Sequence, residues 1–553
     1  MALFAELRRR NVLKVALLYV VSSWLVLWFE DAIRPNVDLP VWTETFVYTI
    51  LAVGFPVALW FAWTYEITSS GLKKAVDVDQ TQSIVYKTGQ KLNAAVAVFL
   101  VLGVLAVFGQ RLLPTFEFLV PAAPVGDPPI SSRAPPEIRS LILDNGLKII
   151  VWPDHDIPNV AMYNLVRAGS RYEYPGTTGL SHFFEHLMFL GTSNRAAGQF
   201  DAEMEAAGGA NNAYTSSDLT VYMNWFPRSA LEVIFDLEAD RAQNLTFVAE
   251  VIASERAVVQ AERRSSEDND NFSKLREQLQ ATAFIAHPYQ FPVIGWPSDI
   301  ASWTEAQLIN HYRTFYAPNN RTLVFVGDVM PKEIFALADD YFAPIPAQTL
   351  PAAVKTVEPD QLGERRLVVE AAAQTPLLQV AFHGASARDP DTQRLELLLH
   401  LLAGGDSSRL HRLFVEQLAI ALSVGAYQDE SLDPGLVVFY LTLPPDGDPD
   451  LVASALLEQL QLVASEGVSD AELAKAQNIA LADYWRELAT IDGKAAALGQ
   501  FDVLHGSYER LFDVPDSVGS ITVEDLRDVA ASVFRRNNMT VGVLRAPARE
   551  DDE

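Results

Sequence analysis

Ser181-His182-Phe183-Phe184-Glu185-His186 packs two imidazoles and a carboxylate into six consecutive residues. On a helix, positions four apart face the same way. His182 and His186 can therefore take adjacent corners of a zinc tetrahedron. Glu185 follows His182 by three and reaches the same side, placed to take a proton from water rather than to bind the metal. The order H-x-x-E-H inverts the better-known H-E-x-x-H arrangement. The chemistry such a set performs is metal-assisted hydrolysis. The bland alternative is a helix with two surface histidines. Phe183, Phe184, Leu187 and Met188 count against it, because they mark a mostly buried helix, where imidazoles beside a carboxylate need partners.

A third ligand is required. The chain of 553 residues has no cysteine, so thiolate sites and disulfides are excluded and the ligand must be a histidine or a carboxylate. The helical stretch "SERAVVQAERR" offers Glu255 and Glu262, seven apart and on one face. Taken alone, acidic residues on such a helix commonly form a solvated face, so the third ligand stays open on this ground. The net charge of -28 argues against a nucleic-acid partner, because phosphate backbones select basic surfaces. With 49% hydrophobic residues, the chain is long and apolar enough for a sizeable core.

The elements that must position these groups fall into two similar runs. Residues 138–348 open with two strands joined at Asn145-Gly146, a hairpin signal. Further strands, a helix over 179–190 and long helices at 229–243, 247–280 and 304–315 follow. A strand at "RTLVFVGDV" and a helix near 332–342 end the run. After a linker at 349–363, residues 364–547 repeat the order. Strands at 366–371 and 376–384 precede helices at 391–402 and 407–418. Strands at 420–428 and 434–443 follow, then helices at 449–465, 470–496 and 523–533 and a last strand at 539–545. The predicted fold is α+β: two homologous domains of antiparallel sheet backed by helices.

Ahead of them, residues 1–112 read as a transmembrane anchor. Apolar runs at about 12–29, 46–65 and 94–110 each approach the length of a membrane-spanning helix. Arg8, Arg9, Arg10 and Lys14 flank the first run, and Lys73, Lys74, Lys87 and Lys91 lie between the second and third. The positive-inside rule then sets the N-terminus in the cytoplasm and everything after Arg111 on the far side. Seven prolines between 113 and 137 make a stiff spacer. "LFAELRRRNVLKVA" and "GFPVALWFAWTYEIT" resemble an N-terminal membrane module of Gram-negative bacteria. That likeness implies a multi-pass inner-membrane protein with its remaining domains in the periplasm.

Residues 139–545 resemble the pitrilysin/insulinase family of inverted-zincin metallopeptidases, in its short, processing-peptidase-like form. The likeness rests on the H-x-x-E-H motif and on "VRAGSRYE", "HLMFLGT", "GGANNAYTSSDLTVY", "HPYQFPVIG" and "FYAPNNRTLVFVGDV". In that family a ligand glutamate lies about 76 residues after the motif, with another glutamate seven before it. The resemblance implies Glu262 as third ligand to Zn2+ beside His182 and His186, Glu255 as the carboxylate orienting a ligand histidine, and Glu185 as general base. It also implies that Asn212 and Ala213, on an edge strand, contact the peptide substrate.

One family feature is missing. The second domain of the family carries a pattern close to L-R-E-x-x-G-L-A-Y-S-V, whose Arg and Tyr contact substrate. This chain has "FVEQLAIALSV", with Val415 and Leu422 at those places. Short members of the family often work in pairs, so the resemblance implies a partner subunit supplying Arg and Tyr. The alternatives are a homodimer of weak or no activity and a membrane-tethered zinc-binding scaffold.

Overall fold

A computed structural model describes residues 138–547, together with Ser23, Phe55 and two short strands, β1 (Tyr65–Thr68) and β2 (Gly71–Lys74). The strands pair antiparallel, with Tyr65 opposite Lys74. Tyr65, expected to end the second apolar run, thus begins a strand. Apart from Ser23, Phe55 and Tyr65, the runs at 12–29, 46–65 and 94–110 lie outside the described residues, as does the proline-rich stretch at 113–137. Among the described residues, no helix is long and apolar enough to cross a membrane. The chain divides into two compact units, Met1–Ser131 and Ser132–Glu553.

The second unit holds both repeats. The first runs β3 (Arg139–Ile142), β4 (Lys148–Pro153), β5 (Asn159–Val166), α1 (Leu180–Leu187), α2 (Gln199–Ala206), β6 (Ala210–Thr215) and β7 (Thr220–Pro227). It continues with α3 (Leu231–Gln243), α4 (Ala249–Arg263), α5 (Asn271–Ala283), α6 (Pro297–Ser302), α7 (Glu305–Phe315), β8 (Arg321–Gly327) and α8 (Pro331–Phe342). The second runs β9 (Arg365–Glu370), β10 (Leu377–His383), α9 (Asp391–Ala403), β11 (Ser423–Gln428) and β12 (Leu436–Thr442). Helices α10 (Pro449–Glu466), α11 (Asp470–Glu487), α12 (Ile491–Leu504), α13 (Val514–Ser520) and α14 (Val523–Val533) precede β13 (Met539–Arg545).

The sheet orders are β3-β4-β8-β5-β7-β6 and β11-β12-β10-β13-β9. Without β3, one is the other read backwards. The strands were expected to be wholly antiparallel, but each sheet holds one parallel pair, β4 with β8 and β9 with β13. The cause is the return of the last strand of each half. It comes back through helices and inserts between β4 and β5 in the first half and between β9 and β10 in the second, a crossover that leaves it parallel to β4 or β9.

Two long helices predicted from periodicity are broken. The 247–280 stretch stops at Arg263, passes through a π-turn at Arg264–Asp268 and restarts where the Asp270 side chain caps α5 by accepting from the Ser273 N–H. The 470–496 stretch likewise breaks where Thr490 caps α12 through the Gly493 N–H. The 407–418 helix is a π-turn at His411–Gln417. Short helices α2, α6 and α13 were not foreseen.

These breaks let the halves exchange helices. Leu279 and Ala283 of α5 pack with Ala381, Leu436 and Val438 on one face of the second sheet. Leu498 and Val503 of α12 pack with Ile150, Leu165, Val221 and Val324 of the first sheet. Strand β8 is buried at every position as a result.

Candidate metal centre

Helix α1 is set by its backbone start. Gly179 adopts φ +86 at the N-cap, and a Cβ there would sit 2.4 Å from the Ile294 carbonyl. Gly295, at φ +85, is pressed equally close to the Thr178 carbonyl. Only glycine permits both the left-handed turn and the backbone contact. The buried Glu173 carboxylate then accepts from the N–H groups of Gly179 (2.6 Å) and Ser181 (2.7 Å), satisfying donors at the helix start. Full burial still pushes its carboxyl up to about 7, against the pull of the Ser181 and Gly179 N–H groups. Phe183, Phe184 and Leu187 anchor the other face of α1 in a core shared with Val259 of α4.

Helix α4 brings the distant carboxylates. Arg263, buried beside Glu262, donates to both oxygens of Glu277 (2.8 and 2.9 Å) and to the Gly295 carbonyl (2.9 Å). The segment that abuts Gly179 therefore also fixes the end of α4. The π-turn begins just after Glu262, whose carbonyl accepts from the Ser265 and Ser266 hydroxyls.

Between α1 and α4, His182 Nε2 lies 3.6 Å from Glu262 Oε1, and His186 Nε2 lies 3.3 Å from Glu262 Oε2. One donor atom from each of the three side chains falls within 4.8 Å of the others, and among the described residues this is the group of histidines and carboxylates that could hold a metal. A tetrahedral zinc with bonds of ~2.0–2.1 Å holds its donors roughly 3.3–3.4 Å apart, so the set fits zinc. His182 Nδ1 and Glu262 Oε2 are buried without a hydrogen bond. Glu255 accepts from His186 Nδ1 at 2.8 Å, which turns Nε2 toward the shared centre. In the metal-free arrangement, His182 and then His186 hold the Glu262 carboxyl well below its usual range. Burial works to lower His186, but Glu255 and Glu262 outweigh it and push it up to about 9.

Glu185 stands beside the triad rather than in it. Its Oε2 accepts from the Thr215 hydroxyl at 2.6 Å. Thr215 ends β6, the outermost strand of its sheet, which pairs on one side with β7. Asn212 is exposed on β6, and its Oδ1 accepts from the Ala213 N–H (2.9 Å). A shallow pocket of about 200 Å³ joins Glu185 and His186 to Asn211, Asn212 and Ala213. A larger cleft of about 590 Å³ touches His182, Thr215 and Glu262 from the first half and Tyr427, Asp429 and Glu430 from the second. Val415 packs at the margin of the second core, and Leu422 is half exposed. The structure thus brings His182, Glu185, His186, Glu255 and Glu262 together, with Asn212 and Ala213 along the adjoining edge.

Residue-by-residue reading missed Thr215, Glu173 and Arg263. Period-two alternation on β6 could have placed Thr215 on the side of Ala213. Nothing local marks the other two.

A profile of the insulinase family (peptidase family M16) matches residues 151–295, and one of the peptidase M16 inactive domain matches residues 302–480. Together they span more than half of the chain, which belongs to the M16 peptidase family. The zinc protease PqqE of Helicobacter pylori is 27% identical over 419 residues, covering 74% of this chain and 93% of that protein. A probable mitochondrial-processing peptidase subunit beta of Arabidopsis thaliana is 29% identical over 356 residues, covering 62% of this chain and 66% of that one. Among solved structures, a protease from Helicobacter pylori superposes with a TM-score of 0.71 at 26% identity, covering 74% of this chain and all of that one. The peptidase M16 inactive domain of Pseudomonas fluorescens shares the fold, with a TM-score of 0.69 at 17% identity, over 75% of this chain and all of that one.

Proposed function

We propose that this chain is the zinc-bearing subunit of an endopeptidase that cleaves extended peptides. The observation that carries the reading is the convergence of His182, His186 and Glu262 on one centre beside Glu185 and an open strand edge. Zinc, when bound, supplies Lewis acidity for the scissile carbonyl and lowers the pKa of water toward neutrality. Glu185 takes the water proton on its free oxygen and returns it to the leaving amine. A peptide adds to the unpaired edge of β6, where the Asn212 side chain gives up the Ala213 N–H. Backbone pairing of this kind favours unfolded substrates with little side-chain selectivity.

The decisive experiment is Glu185→Gln. It is expected to retain stoichiometric zinc while lowering hydrolysis of an unstructured peptide by about 10²–10⁴-fold. Unchanged hydrolysis would defeat the reading and favour a zinc-holding scaffold.

Val415 and Leu422 support a partner. Neither side chain can stabilise an oxyanion, so a second family member supplying Arg and Tyr completes the site. Strong zinc-dependent cleavage by the purified chain alone would refute the pairing. Three spans within residues 1–112 tether the protein in a bacterial inner membrane with the peptidase unit in the periplasm, a reading supported by the apolar runs and their basic flanks. Protease added to cells with a permeabilised outer membrane should digest the second unit, and its protection would overturn that orientation.

A further inference from the structure

We propose that Thr215 is a positioning residue for Glu185, and that β6 thereby couples backbone binding of a peptide to alignment of the base. The inference rests on the reading of Glu185 as general base. A threonine hydroxyl has one proton to give, and a carboxylate only accepts. At 2.6 Å the Thr215–Glu185 contact is a charge-assisted hydrogen bond. Among the described residues, Glu185 shows no other side-chain hydrogen bond. The bond holds Oε2 and leaves the second oxygen for water.

Thr215 is itself placed by the strand pair. It stands opposite Thr220 across the β6–β7 pair, with the two hydroxyls 3.4 Å apart. Thr220 donates to the Ala168 carbonyl at 3.0 Å, so its own orientation is set by the chain just past β5. Thr215 is β-branched, with few χ1 choices. Two residues along the same face, Ala213 packs against the core around α1. The strand whose free edge would receive the peptide thus also carries the hydroxyl that aims the base. A peptide added to β6 restrains the strand, and with it the Thr215–Glu185 distance.

The test uses the zinc-loaded full chain with two readouts. Hydrolysis of an unstructured peptide, at the low rate expected of the chain without its partner, gives kcat and KM. Calorimetry with a peptidyl phosphinate, which shares a proton with the base, gives an affinity that needs no turnover. Thr215→Val is expected to lower kcat about 10- to 100-fold and to weaken phosphinate binding by a similar factor, as befits loss of one hydrogen bond to a charged group. KM, zinc stoichiometry and melting temperature are expected to hold, and Thr215→Ser to restore both readouts to within about threefold. Wild-type values of both readouts in Thr215→Val would overturn the proposal while leaving Glu185 as base. Loss of zinc or of melting temperature, unrepaired by serine, would overturn it in favour of a structural role. If Glu185→Gln matched wild type in both readouts, the base assignment would fall, and the inference with it.

Discussion

The two halves of the second unit share strand order, a parallel strand pair and a helix lent to the other's sheet, yet one half carries the side chains that could hold a metal. Helix α9 follows β10 as α1 follows β5. Whereas α1 carries His182, Glu185 and His186, α9 turns Leu395, Leu398 and Leu402 into the core. Its Glu396 and His400 lie one turn apart at 3.9 Å, with no third donor among the described residues converging on them. The same backbone supports either a buried apolar helix or a metal helix. The choice lies in a few side chains and in the carboxylates a second helix brings to meet them.

Substitutions of ligand histidines test this contrast most severely. His182→Ala or His186→Ala is expected to cut zinc affinity by more than about 100-fold, since loss of an outer partner alone costs ~10–100-fold. His400→Ala in the second half is expected to leave bound zinc unchanged. Metal content after dialysis reads both, and equal losses would erase the distinction between the halves.

A weaker effect is expected from Glu255→Gln, which keeps the shape but frees His186 Nδ1. Zinc affinity should fall by about 10- to 100-fold with folding intact. A competition titration against a chelating dye would show it, and an unchanged affinity would remove Glu255 from the site.

Without metal, the charged cluster also makes the first half sensitive to pH. His186 is raised from 6.5 to about 9 in the folded protein. The folded state therefore binds more protons than the unfolded chain between those values. The stabilisation is fully present below about pH 6.5 and is lost as pH rises through 9. Urea unfolding in chelator at pH 6, 8 and 9.5 should show a stability loss of a few kcal/mol, on the order of 1.4 kcal/mol for each pH unit crossed in that window. Glu262→Gln should flatten the profile, and a flat wild-type profile would contradict the ion pairing.

The smallest effects concern two positive-φ positions. Gly179, at φ +86 beside the Ile294 carbonyl, cannot accept a methyl without backbone movement. Gly179→Ala should cost about 1–3 kcal/mol. In the second half, Ala419 adopts φ +51 at the place where the family pattern "L-R-E-x-x-G" has glycine. Ala419→Gly should stabilise by up to about 1 kcal/mol, because the left-handed conformation costs an L-residue about that much. Thermal melts of the two variants should shift in opposite directions.

Much of this was legible in sequence where the signal is short-ranged. The one-turn spacing of His182, Glu185 and His186 needs only a helix to bring the groups together. The short apolar runs at 148–153 and 159–166, bounded by Asn145-Gly146 and by Asp154 and Pro158, mark strands covered on both faces. The break at Thr490 escaped because apolar residues (Leu488, Ile491, Ala495, Leu498) continue through it, whereas the wholly polar run at 262–271 does carry a local sign of the break at Arg264–Asp268. What interrupts each helix is a cap and the packing of the next segment on the opposite half.

From its own residues the sequence determined a helix able to present two imidazoles and a base, and a duplicated α+β plan around it. Glu262 entered only through resemblance, since no local pattern separates a ligand carboxylate from a solvated one 76 residues away. Tertiary structure alone decided the meeting of α1 and α4 through Gly179, Gly295 and Arg263, the parallel strand insertions, the exchanged helices, and the hydroxyl of Thr215 on Glu185. Periodicity reaches one or two turns, whereas the spacing between two helices is set by the side chains packed between them.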